Sequence, residues 1–165
     1  MLKAFVMGLS VFCASYVFAM GNMPMPSMGE SIVGKPAPEF TLEMASGTTK
    51  SLTQVRDGKK TILFFWATWC PRCHEQMAVM NKLADEVRQK GINIVLVDLG
   101  ETREEAAAFL QYKKIDLESF IDSNNSLQEP YRIIGVPTLF FIDEDGIIRN
   151  MSHQFPYNYM DGFKK

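Results

Sequence analysis

Cys70 and Cys73 stand two residues apart where an apolar run, Thr61 to Trp66, gives way to a helical pattern. Two thiols at that spacing and place form a redox centre. The unpaired backbone N–H groups of a first helical turn, together with the helix dipole, favour negative charge. A cysteine there ionises readily to the thiolate, the form that attacks disulfides. A second thiol one turn on can displace the captured substrate by closing an intramolecular disulfide. Pro71 suits the first turn, where its missing N–H is not needed. The other chemistry open to such a pair is half of a structural zinc site, which requires two more ligands. The remaining candidates are Cys13, far upstream, and His74 and His153, of which His74 is contiguous with the pair. No metal and no cofactor is expected.

The first residues bear on where this chemistry happens. Lys3 precedes an apolar stretch from Ala4 to Phe18, and Val17-Phe18-Ala19 resembles the small-residue cleavage signal that closes a secretory leader. Residues 1–19 are read as a signal peptide, with the mature chain beginning near Met20. The stretch is shorter than the ~20 residues a membrane span requires, so export with cleavage is expected, an uncleaved anchor being the alternative. Cys13 is a leader residue, because Phe12 is bulky where lipid attachment wants a small neighbour. The mature chain then keeps only Cys70 and Cys73, in an oxidising compartment. A pair this close closes a very small loop and removes little unfolded-chain entropy, so stapling does not explain it.

A net charge of −2 and the absence of any basic block interleaved with aromatics argue against nucleic acid as a partner. Residues 20–31 read as a flexible tether of Met, Pro, Gly and Ser, and the folded domain should occupy 32–165. Phe40 to Leu42 and Thr49 to Leu52, separated by Ala45-Ser46-Gly47, read as an antiparallel pair. Thr61 to Trp66 has the unbroken apolar character of a strand covered on both faces.

From Arg72 to Lys90 the pattern is helical, with Met77, Met80, Ala84 and Val87 on one stripe and Gly91 as the stop. Ile92 to Leu99 is a second buried strand. Thr102-Arg103-Glu104-Glu105 opens a capped helix running to about Lys114. Leu117 to Ile121 follows as a short strand, then a helical turn around Leu127 to Tyr131. Val136 to Ile142 and Ile147 to Arg149 bracket Asp143-Glu144-Asp145-Gly146, a hairpin signal. Strands alternating with helices before a closing hairpin indicate an α/β fold with a mixed central β-sheet flanked by helices.

These residues carry a resemblance. The chain is similar to the thioredoxin fold and, more narrowly, to the TlpA/ResA-like branch of exported thiol–disulfide oxidoreductases. Four features match: Gly34-Lys35-Pro36-Ala37-Pro38-Glu39-Phe40, Trp66-Ala67-Thr68-Trp69-Cys70-Pro71-Arg72-Cys73, the extra helix and strand between Thr102 and Asp122, and Gly135-Val136-Pro137-Thr138 leading to Phe141-Ile142-Asp143-Glu144-Asp145-Gly146. The resemblance implies that Pro137 is a cis-proline facing the cysteines, which leaves the backbone of Val136 to pair with an extended substrate. It also implies that Cys70 attacks and Cys73 resolves, with Trp69 against the substrate. The partners implied are exported proteins carrying disulfides and a membrane thiol electron donor of the DsbD/CcdA type.

Three residues are candidate modulators. Arg72, between the thiols, can stabilise a Cys70 thiolate by charge. His74, four residues after Cys70 on the same helix face, would do so if protonated, the plainer alternative being a solvated helix residue. The family often places a glutamate where Gln76 stands and a proline at Ala78. Gln76 shares the side of Cys73 but accepts no proton at neutral pH. Phe64 occupies the place of the buried acid of ordinary thioredoxins, so the proton acceptor for Cys73 is unassigned.

Three functions follow for testing. The leading one is a periplasmic dithiol reductant serving cytochrome c maturation or a similar process. The second is a thiol peroxidase, which shares the Gly34-to-Phe40 motif, although the Pro-x-x-x-Thr-x-x-Cys pattern is missing. The third is a copper-binding module using Met20, Met23, Met25 and Met28 with the cysteines, since thioethers suit Cu(I).

Overall fold

The computed structural model describes residues 32–164. The leader, the Met-rich tether and Cys13 lie outside the described residues. Seven strands form one mixed sheet in the order β2-β1-β5-β4-β3-β6-β7, made of β1 (Thr41–Met44), β2 (Thr49–Ser51), β3 (Lys60–Trp66), β4 (Ile92–Leu99), β5 (Ser119–Asp122), β6 (Thr138–Ile142) and β7 (Ile148–Ser152). β3, β4 and β5 run parallel, and β6 and β7 are antiparallel additions on the far side of β3. The helices are α1 (Leu52–Arg56), α2 (Pro71–Gln89) and α3 (Arg103–Lys113), with a 3-10 helix at Tyr159–Phe163.

β3 is central because both of its faces are apolar. Ile62, Phe64 and Trp66 point to a core shared with Cys73, Met77 and Met80 of α2 and Ala106 and Leu110 of α3. Leu63 and Phe65 point to the other core, with Phe40, Leu52, Phe120, Tyr131 and Phe140. Fully burying one such side chain is worth about 1.5–3 kcal/mol, so each face of β3 anchors a layer. The stripe expected on α2 holds: Met77, Met80 and Val87 are buried and Ala84 half-buried.

Several elements differ in detail from expectation. Leu52 opens α1 rather than ending β2, because Ser51 and Gln54 form a reciprocal capping box that starts a helix there. The β1–β2 hairpin is not free-standing: Glu43 and Met44 pair with Ile121 and Phe120 of β5. β6 begins at Thr138, two residues after the expected Val136, and β7 runs on to Ser152, beyond Arg149. The closing helix is a short 3-10 segment seated on its own chain. There Phe163 meets Phe141 edge-to-face at 5.3 Å, and Gly162 passes so close that a Cβ would lie 2.3 Å from the Phe141 ring. Among the described residues no helix is long and apolar enough to cross a membrane.

Candidate active site

Cys70 is the N-cap of α2, with extended backbone, and Pro71 follows in the first turn. Its Sγ accepts the Cys73 backbone N–H at 3.2 Å, the interaction that would stabilise a thiolate at that atom. The two cysteines form a disulfide with Cα atoms 5.3 Å apart. Cys73 is fully buried and Cys70 nearly so, at 4% exposed. The order of accessibility matches expectation, but neither sulfur stands out in solvent.

The expected neighbours separate into distinct roles. Trp69 projects outward, 69% exposed, whereas Trp66 is buried, donating Nε1–H to Ser119 Oγ at 3.2 Å and packing on Phe109. Arg72 is exposed at the helix surface. The Val136–Pro137 bond is cis, with Val136 half-buried and Pro137 buried at the start of β6.

His74 is half-buried rather than solvated: Nε2 lies 2.7 Å from the Thr68 carbonyl and the ring packs on Phe109 at 4.6 Å. Because a carbonyl only accepts, Nε2 carries the hydrogen.

Gln76 is also accounted for differently. Its amide donates to the His153 carbonyl at 3.2 Å and accepts the Phe155 N–H at 2.7 Å, tying the segment after β7 to the catalytic helix. An amide is required, since a carboxylate has no hydrogen for the carbonyl. His153 in turn sets Nδ1 2.9 Å from the Pro137 carbonyl and 3.2 Å from Thr138 Oγ1. Thr138 spends its own hydrogen on the Gly135 carbonyl at 2.6 Å, so the His153 Nδ1–H is the donor to both.

Two acidic residues escaped the sequence reading. Glu101, after β4, binds both the N–H of Thr68, at 2.6 Å, and its hydroxyl, two residues before Cys70. Asp98 is fully buried near the end of β4, in register with Trp66 and Ile121. Burial, followed by the adjacent Glu101 carboxyl, pushes the Asp98 carboxyl up to about 8. The one sequence signal for it was an acid following the apolar run Ile94 to Val97 of β4. Nothing local marked Glu101 or His153. Among the described residues no group of three His, Cys, Asp or Glu is placed to hold a metal ion.

With this geometry in hand, comparison with known proteins is informative. A family model described as AhpC/TSA family matches residues 33–151. The chain belongs to the AhpC/TSA family. Within it, the chain is similar to a thiol-disulfide oxidoreductase ResA of Bacillus thuringiensis subsp. konkukian, 30% identical over 138 residues that make up 84% of this chain and 79% of that one. It is likewise 30% identical to a thiol:disulfide interchange protein DsbE of Allochromatium vinosum, over 87% of this chain and 79% of the other. The solved thioredoxin domain of a thiol-disulfide oxidoreductase from Bacteroides vulgatus superimposes with a TM-score of 0.70 over 78% of this chain and 94% of that domain, at 22% identity. That likeness establishes the thioredoxin fold. This AhpC/TSA-family protein is a thiol–disulfide oxidoreductase, as the TlpA/ResA-like resemblance implied.

Proposed function

We propose that the protein is an exported dithiol reductant for disulfides in other exported proteins. The leader at 1–19 directs it to the periplasm and is removed there, leaving residues 20–31 as a tether ahead of the 32–165 domain. The observation that carries the catalytic assignment is Cys70 at the helix N-cap with its sulfur receiving the Cys73 N–H. As thiolate, Cys70 attacks one sulfur of a substrate disulfide, forming a mixed disulfide and releasing the first substrate thiolate. Cys73, deprotonated, then attacks the Cys70 sulfur, which closes the internal disulfide and releases the second substrate thiolate. Two electrons pass to the substrate, and its sulfurs take up two protons.

Access favours this order, since Cys70 is the less buried cysteine and the neighbouring Trp69 stands exposed. A substrate segment lying along Val136 and Pro137 would present its disulfide to Cys70 as an added strand. Cytochrome c maturation is the process the resemblance implies, with electrons returned by a membrane thiol donor of the DsbD/CcdA type. The ResA and DsbE relatives, named as a thiol-disulfide oxidoreductase and a thiol:disulfide interchange protein, support the disulfide exchange itself.

The reduction potential of the Cys70–Cys73 pair tests it. Titration against dithiothreitol should give a value in the reducing range, near the −270 mV typical of thioredoxin. A value near about −120 mV would mark a disulfide donor and overturn the reductant assignment.

A further inference from the structure

Asp98 presents a physical problem. Its side chain is fully buried, and among the described residues neither carboxyl oxygen has a partner at full hydrogen-bond geometry, the Glu101 backbone N–H being the one group that favours its anion. From the following loop the Glu101 carboxyl acts on Asp98 more strongly than the Glu101 N–H does, and it is itself an acceptor engaged with Thr68. From α3, the only other charge acting on Asp98 is the acid Glu105. From α2, His74 reaches Thr68 as Glu101 does, with its Nε2–H committed to the Thr68 carbonyl. On the same sheet face β3 and β5 offer Trp66 and Ile121, neither of which is charged. Asp122 of β5 is occupied with Ser126 and Leu127. A fully buried carboxylate beside the half-buried Glu101 carboxylate is repelled by it and leaves lone pairs unsatisfied at a cost of several kcal/mol. One proton removes both faults, because a carboxylic acid becomes a donor to the carboxylate beside it.

We propose that Asp98 and Glu101 hold a single shared proton and act as one positioning unit for the active-site loop. Asp98 donates to Glu101, and Glu101, kept anionic, grips the N–H and hydroxyl of Thr68 and so sets the approach to Trp69 and Cys70. Loss of the shared proton adds a buried negative charge beneath the loop where the Cys70 thiolate must form. By reciprocity, the redox state of the cysteines and the protonation of this pair influence one another.

Two measurements test this. Infrared difference spectra of the oxidised protein, whose cysteines do not titrate, should reveal a protonated carboxyl at pH 7 that disappears with a midpoint near 8. Asp98→Asn should abolish that band, and Glu101→Gln, by offering Asp98 an amide donor, should move its midpoint downward. The second measurement is the Cys70–Cys73 reduction potential against dithiothreitol at pH 6 and pH 9.5. Wild type and Asp98→Asn should coincide at pH 6, where both carry a neutral group at position 98. They should diverge at pH 9.5, with wild type the more negative. Absence of the band at pH 7 overturns the shared proton, and the wild-type spectrum decides this even if a variant fails to fold. Potentials that coincide at both pH values, or differ equally at both, overturn the coupling. Neither result depends on whether the physiological direction is reduction or oxidation.

Discussion

On one side of the disulfide, Thr68 is gripped by the Glu101 carboxylate and the His74 ring. On the other, Pro137 and Thr138 lean on His153, whose backbone is tied to α2 by Gln76. The first brace relies on a charged acceptor coupled to a buried acid. The second uses a neutral amide and an imidazole N–H, each satisfying a backbone group. Charge-assisted hydrogen bonds are about twice as strong as neutral ones. The nucleophile's loop thus rests on the charged brace of the site and the cis-proline loop on the neutral one. Both braces hold main chain and leave Trp69 exposed.

The largest effects should come from the sulfurs that both braces serve. Cys70→Ser should abolish disulfide reduction, while Cys73→Ser should accumulate a mixed disulfide with substrate, detectable by mass spectrometry.

Next in size is the pH dependence of stability. The folded-state value of Asp98, about 8, lies above that of an unfolded aspartate, so the folded protein keeps a proton that the unfolded chain gives up. Its contribution is therefore full below about pH 4 and is lost progressively as pH rises to about 8, on the order of a few kcal/mol in total. Urea unfolding from pH 4 to 9 should follow that fall, and Asp98→Asn should flatten it.

The braces themselves can be broken separately. Glu101→Ala removes a charged acceptor from two donors and should cost about 1.5–3 kcal/mol. Gln76→Glu leaves the His153 carbonyl without its donor and should cost about 1–2 kcal/mol, with no change in the pH midpoint assigned to Asp98. A shift in that midpoint would mean the two halves are not independent.

Trp69→Ala should have the smallest effect on stability, within about 0.5 kcal/mol for so exposed a side chain. If Trp69 touches substrate, KM in insulin reduction should rise with kcat little changed.

Much of this architecture was legible locally. The cap at Thr102, the unbroken apolar run of β3 and the turn at Asp143 to Gly146 each express their physics within a few residues, and all appear where expected. The start of α1 was legible too, through Ser51 and Gln54, but Leu52 was read as the end of the strand from Thr49. The roles of His74 and Gln76 were not legible. Helical spacing gives the side of the helix on which a residue sits, and says nothing of which distant backbone group waits there.

By itself, then, the sequence determined the redox pair, its seat at a helix start, the order of strands and helices from β3 to β7, and the family. Each of these rests on residue type or short-range periodicity. The tertiary structure decided how that pair is held. Glu101 reaches Thr68 across 33 positions and Gln76 reaches His153 across 77. The orphaned carboxyl of Asp98 is defined only by what the fold places around it. Such contacts depend on the sheet order, which brings segments together that the chain keeps apart.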